Sequence, residues 1–182
     1  MVRGSYGYLG DPSLIPDVGD ILEETGLAPS SLLLEMNESS IIAYGEPASV
    51  TLHRLRALGV GLEIGSFGTG NASPGYLRKL PFDALRIDRS FVKQLGTIND
   101  SSRIIDTILT FAGSLGMKVD AEGVETKDQA DKLVTLGCCR AQGPYFSGPV
   151  HAANAEAWIR GEPRGDVQKK GEVRAFPLSS AR

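Results

Sequence analysis

The chain has 182 residues, 41% of them hydrophobic, with 19 lysines and arginines against 22 aspartates and glutamates. This length and composition are typical of one globular domain with a sizeable core, and they argue against a disordered chain, a collagen-like chain or a disulfide scaffold. The formal net charge of -3 argues against broad binding to nucleic acid or to anionic membranes.

The absence of long apolar segments and the placement of the cysteines point to a cytoplasmic setting. No apolar run approaches the roughly eighteen residues that a membrane span needs, and the first residues contain no apolar secretory segment. Cys138 and Cys139 are neighbours in the sequence, which is not the arrangement of a disulfide framework. We therefore predict a reducing, cytoplasmic setting.

Short apolar runs alternate with helical stretches along the chain. The predicted strands are 2–6, 32–36, 60–64, 84–87, 118–121 and 140–146. The apolar periodicity predicts helices over 12–24, 47–58, 102–115, 127–136 and 153–159, most of them followed by a glycine. This alternation is typical of a parallel α/β sheet with right-handed crossovers, and it fits either a (β/α) barrel or an open doubly wound sheet.

The last 22 residues differ in composition from the rest. Residues 161–182 are rich in glycine, proline and charge and have no apolar periodicity. We therefore predict one domain over residues 1–160 and a flexible tail over 161–182.

Polar side chains cluster where the predicted strands end, which is the functional edge of both candidate architectures. They are Glu35, Asn37 and Glu38, then Arg86 and Asp88, then Asp120, Glu122 and Glu125, and finally Gln142. Three strands that end in carboxylates predict a site for a hard cation such as Mg²⁺ or Mn²⁺. One carboxylate alone would as often be a helix cap or a surface charge.

A glycine-rich segment, GSFGTGNASPG, follows the strand predicted at 60–64. It lacks the lysine of a P-loop and does not satisfy the GxGxxG pattern. By composition it indicates either a phosphate cradle or a turn that needs positive φ.

Three segments occur together in one order: FGTG with YLRKLPFDALRIDRSFV, then LGMKVDAEGVET, then GC with AQGPYFSGPV. Over about residues 2–159 they closely resemble the bacterial EAL domain, the cyclic di-GMP phosphodiesterase family. The resemblance implies a TIM-like (β/α) barrel that often dimerises. It also implies an activity in which two Mg²⁺ or Mn²⁺ ions hydrolyse cyclic di-GMP to the linear dinucleotide pGpG.

The resemblance assigns the metal ligands of the family to positions in this sequence. Glu35 and Glu122 stand at ligand positions and are retained, whereas Arg3 replaces an asparagine and Gly65 and Ser66 replace two aspartates. The Glu-Ala-Leu motif of the family's first strand does not occur. The resemblance therefore implies an incomplete barrel that lacks the first strand and its helix.

Further positions correspond to the family's catalytic and ligand-binding residues. Arg86 stands at the catalytic lysine, Glu125 at an active-site carboxylate that would be vestigial here, and Gln142 at a glutamine of the pocket. The expected ligand-binding residues are Arg86, Gln142, Phe67, Gly68, Thr69 and Gly70. Arg86 would either bind a phosphate of the ligand or pair with a rim carboxylate such as Glu122.

The missing ligands decide the functional prediction, because two-metal catalysis needs both ions. We predict a catalytically inactive module that binds cyclic di-GMP or a protein partner. The remaining ligands make metal binding doubtful, and the resemblance leaves open whether the chain forms a homodimer. Two alternatives remain: an active phosphodiesterase whose missing strand another segment supplies, and a fragment without function. Three structural expectations accompany these: Cys138 and Cys139 are buried, Asp88 and Arg89 anchor the loop after their strand, and Pro74 stiffens or caps the helix that follows.

Overall fold

The structure is a computed structural model that describes residues 2–4, 9–70, 73–138 and 140–149. In this part of the chain, six strands form one sheet: β1 (Val2–Gly4), β2 (Leu33–Asn37), β3 (Gly61–Phe67), β4 (Ala84–Ile87), β5 (Lys118–Glu122) and β6 (Arg140–Gln142). Every neighbouring pair is parallel, and the order of the strands in the sheet follows their order in the chain. The predicted parallel α/β class is confirmed.

Helices connect each strand to the next. They are α1 (Leu14–Thr25), α2 (Glu38–Tyr44), α3 (Glu46–Ala57), α4 (Pro74–Leu77), α5 (Arg89–Gln94), α6 (Ser102–Ser114) and α7 (Lys127–Thr135), with a 3₁₀ turn at Pro29–Ser31. Within the described ranges no helix is both long and apolar enough to cross a membrane.

The predicted elements match the observed ones within a few residues, apart from the last strand and the short helices. β6 ends at Gln142 and not at residue 146, because the chain turns there: Phe146 N donates to Gly143 O at 3.0 Å. The helix predicted at 153–159 and the tail lie outside the described residues, so the domain boundary at 160 stays a prediction.

The core lies between the sheet and the helices. Along β2, β3 and β4, alternate residues such as Leu34, Leu62 and Leu85 are buried and belong to one apolar cluster with residues of α3 and α6. The residues between them are buried as well, because the second face of a parallel sheet is also covered. That second face carries the charged residues of the site.

Local capping follows the sequence. Asp88 ends β4 and caps α5, where its Oδ1 accepts from Ser90 N at 2.8 Å. Pro74 is the first residue of α4, and Cys138 is 1% exposed. The expectations for Cys138 and Asp88 are therefore confirmed. Pro74 begins α4 directly after the Ser73 cap, and Cys139 lies outside the described residues.

Candidate functional site

A buried group of charged side chains spans β2, β3 and β4. Glu35 and Glu63 are register partners on adjacent strands. Arg86 Nη1 donates to Glu35 Oε2 at 2.7 Å, and Arg86 Nη2 lies 2.6 Å from Glu63 Oε2. These side chains are 3%, 0% and 2% exposed for Glu35, Glu63 and Arg86 respectively, so all three are removed from solvent.

The group continues onto β5 and β6. Asp120 pairs in register with Arg86 on one side and with Arg140 on the other. Its side chain hydrogen-bonds Glu63, and its Oδ1 lies 2.7 Å from Arg140 Nε. We call Glu35, Glu63, Arg86, Asp120 and Arg140 the inner cluster.

Burial and, to a lesser extent, the hydrogen bond with Asp120 raise the pKa of Glu63 from 4.5 to about 8 against the opposing charge of Arg86. Glu63 is therefore protonated at neutral pH. The remaining charges of the inner cluster then balance, with two carboxylates, Glu35 and Asp120, against two guanidinium groups. A balanced set of this kind lowers the cost of burying charge in the sheet.

Gly65 leaves the space that the Glu35 side chain occupies. A Cβ at position 65 would lie 2.8 Å from Glu35 Cγ and 2.9 Å from its Cδ, and closer still to Oε1. Such contacts are shorter than carbon atoms tolerate, so the observed place of Glu35 depends on glycine at position 65.

The side chain of Glu38 anchors the loop after β3 through hydrogen bonds. Glu38 is buried, and its Oε2 accepts from Gly68 N at 3.1 Å and from Gly70 N at 3.3 Å. Within the loop, Thr69 Oγ1 donates to Ser66 O at 2.8 Å. Ser66 has a φ of 51°, which is uncommon for a residue with a side chain. The loop is thus a fixed turn whose glycines bring the backbone N–H groups onto one carboxylate.

A second polar edge lies where β5 and β6 end. Glu122 and Gln142 are register partners there, Glu122 half-buried and Gln142 exposed. The backbone carbonyl of Gln142 accepts from Gly123 N at 2.9 Å and from Val124 N at 3.1 Å. Glu125 is exposed just before α7, whose Thr126–Gln129 capping box fixes the start of that helix.

Some predicted residues come together and others do not. Arg3 stands opposite Glu35 in the register of β1 and β2. Arg86 contacts Glu35 and Glu63, so it pairs with carboxyl groups, as one of its two interpretations expects. Glu63 and Arg140 were missed. The signal for Glu63 was its position inside an apolar buried strand, one strand away from the equally isolated Arg86.

The fold and this edge define a parallel (β/α) protein with polar residues gathered at the carboxyl ends of its strands. The family model for the EAL domain matches residues 5–149, so the chain belongs to the EAL domain family. The TIM-like barrel of that family is therefore the fold to which the six parallel strands belong.

Three similar proteins illustrate the relationship. The chain is 41% identical over 152 residues to cyclic di-GMP phosphodiesterase NbdA of Pseudomonas aeruginosa, covering 84% of this chain and 19% of that protein. It matches the solved phosphodiesterase MucR in complex with c-di-GMP with a TM-score of 0.81 at 36% identity, covering 85% and 62% of the two chains. It matches the manganese and cyclic di-GMP complex of Klebsiella pneumoniae BlrP1 with a TM-score of 0.71 at 27% identity, covering 78% and 36%.

The metal ions that enzymes of the family use do not fit the residues found here. Position 65 carries no side chain and Ser66 offers a hydroxyl, while the Glu35 carboxylate is engaged by Arg86. Among residues 2–4, 9–70, 73–138 and 140–149, no three histidines, cysteines, aspartates or glutamates are grouped to hold a metal ion. We therefore derive no catalytic step through a metal.

Proposed function

We propose that this chain binds cyclic di-GMP without hydrolysing it and acts as a module of bacterial second-messenger signalling in the cytoplasm. The observation that carries the proposal is the engagement of Glu35 by Arg86, in the space left by Gly65. A carboxylate committed to a guanidinium is not available to hold the ions that hydrolysis needs.

Ligand binding is supported by the relatives and by the carboxyl edge of the sheet. The similar MucR structure is a complex with c-di-GMP. At the same edge this chain keeps the Phe67–Gly70 loop and the exposed Gln142. Arg86 is buried between carboxylates, so we assign it to the support of the site and assign contact with the ligand to Gln142 and the loop.

The test is a binding titration of the full chain with cyclic di-GMP, followed by chromatography of the incubated nucleotide. We expect saturable binding, a melting temperature that rises with ligand, and no pGpG. The variant Gln142→Ala should weaken binding by roughly tenfold, as loss of one good polar contact does. The control Gln94→Ala, at an exposed position of α5, should leave binding unchanged.

A thermal transition that does not respond to cyclic di-GMP would contradict the binding proposal and favour a protein-interaction role. The second candidate is the hydrolytic activity of the family, which the retained Glu35 and Glu122 and the named phosphodiesterase relatives favour. Formation of pGpG that Glu122→Ala abolishes would establish hydrolytic activity and overturn our proposal of binding without hydrolysis.

A further inference from the structure

Arg86 occupies the centre of the inner cluster. Its two terminal nitrogens reach carboxylates of two different strands, at 2.7 Å for Glu35 and 2.6 Å for Glu63. On the third strand, Asp120 is the register partner of Arg86 and hydrogen-bonds Glu63, so the contacts extend to β5. Carboxyl groups of adjacent strands that contact one positive charge are the kind of ligand with which other proteins hold a divalent cation, whereas here the charge that they contact is a guanidinium.

The backbone is shaped to this arrangement. Glu35 can take its place only because position 65 has no Cβ, which would otherwise contact its carboxylate. Arg86 is 2% exposed, so the guanidinium has no solvent into which it could withdraw if another cation approached. Leaving it buried without its carboxylates would strongly destabilise the fold.

From these contacts we infer that the Arg86 guanidinium is the resident cation of this site and takes the place of a divalent metal ion. The positive charge that joins β2 and β3 through Glu35 and Glu63 is part of the chain. The inference does not depend on cyclic di-GMP, and it goes beyond the proposed function because it concerns what stabilises the protein without any ligand.

The first experiment uses the full chain, freed of metal with EDTA, and Mn²⁺ alone as the probe. Thermal melts with and without Mn²⁺ should coincide, and electron paramagnetic resonance should show all the Mn²⁺ free in solution. A stoichiometric bound Mn²⁺ that raises the melting temperature, with both effects lost in Glu35→Gln, would overturn the inference. This arm needs no Arg86 variant, and its outcome is separate from that of the nucleotide titration.

The second experiment removes the charge of Arg86. Arg86→Met leaves Glu35 buried without its partner and should lower the melting temperature by roughly 10 °C. Adding Glu35→Gln removes the stranded charge, so the double variant should recover much of that loss. The matched control is Arg56→Met, which breaks the surface pair that Arg56 makes with Asp83 at 2.7 Å and should have little effect.

Two results would contradict the resident-cation role. In the first, Arg86→Met lowers the melting temperature no more than Arg56→Met does. In the second, the double variant lowers the melting temperature by the sum of the two single effects. If Arg86→Met does not fold while the double variant does, the stranded carboxylate is responsible, which supports the inference. If neither folds, the Mn²⁺ experiment on the unaltered chain decides.

Discussion

The missing side chain at Gly65 determines where the Glu35 carboxylate lies, and the carboxylate in turn determines what Arg86 can contact. The requirement for glycine at position 65 is steric. The φ angle of Gly65 is not positive, so the backbone conformation there does not itself require glycine. A single methyl group at this position therefore tests the packing of the whole inner cluster.

We predict that Gly65→Ala lowers the free energy of unfolding by about 1–3 kcal/mol, the usual cost of inserting a carbon where atoms are already in contact. The control is Gly113→Ala in α6, where an added Cβ has nothing within 4 Å and should stabilise the helix by roughly 0.5–1 kcal/mol. Urea denaturation of both variants checks the pair. Equal effects of the two substitutions would show that Glu35 moves aside without cost.

At this scale the sequence predicted positions better than contacts. Glu35, Glu122 and Arg86 could be assigned from motifs, whereas the pairing of Arg86 with Glu63 could not. Which side chains meet depends on the register of β2, β3 and β4, and a shift of one residue would have turned Glu63 to the opposite face. Periodicity alone does not fix that register.

At the scale of elements, the Phe67–Gly70 loop is tied to the first turn of α2 by Glu38. Two backbone N–H groups, of Gly68 and Gly70, donate to one buried carboxylate oxygen. Hydrogen bonds to a charged group are stronger than those between neutral groups. The order of the loop is therefore provided by a helix that follows a different strand.

We predict that Glu38→Ala speeds hydrogen exchange of the Gly68 and Gly70 amides by tenfold or more, because a lost charged hydrogen bond is worth roughly 1.5–3 kcal/mol. The control Glu46→Ala removes an exposed acidic residue from the first turn of α3 and should leave these amides unchanged. Exchange monitored by mass spectrometry or NMR distinguishes them. Unaltered exchange in Glu38→Ala would mean that the turn holds without the carboxylate.

The long helices could be predicted from the sequence and the short ones could not. α6 matches the prediction to within one residue, since thirteen residues contain several turns of apolar periodicity. α4 and α5 have four and six residues, which is too short for a period of 3.6 to be recognised. Their starts depend instead on the Ser73 and Asp88 caps.

For the whole molecule, the buried Glu63 carboxyl links stability to pH. Its pKa is raised to about 8 in the folded protein from an ordinary value of 4.5, chiefly by burial. Between these values the folded state holds a proton that the unfolded state has lost, so stability falls as pH rises. The contribution is fully present below the unfolded value and is lost as pH passes through the folded one.

We predict that the free energy of unfolding decreases between about pH 5 and pH 8 with a slope of up to roughly 1.4 kcal/mol per pH unit from this group. Glu63→Gln keeps the shape of the side chain and removes its titration. The free energy of unfolding of this variant should therefore change less with pH over the same range. The exposed Glu46→Gln should follow the unaltered chain. Denaturation curves across that range measure all three, and parallel profiles for the protein and Glu63→Gln would contradict the assignment.

The parallel α/β class could be predicted because each strand is followed by a helix before the next strand. The choice between a barrel and an open sheet could not be made from that alternation, since both use the same unit. Motif resemblance favoured the barrel, and the match to the EAL family bears it out.

One consequence follows from a sheet whose strand order equals its chain order. A single break in the exposed segment around Ile98 would divide the described strands into β1–β4 and β5–β6. The halves would meet along the β4–β5 pair and through α5 on β5 and α6 on β4, with Arg86 and Glu63 on one piece and Asp120 on the other. We expect the two pieces, co-expressed as separate polypeptides, to be suitable for fragment complementation. If each piece is fused to one of two test proteins, reassembly of the sheet would report that the test proteins bind each other.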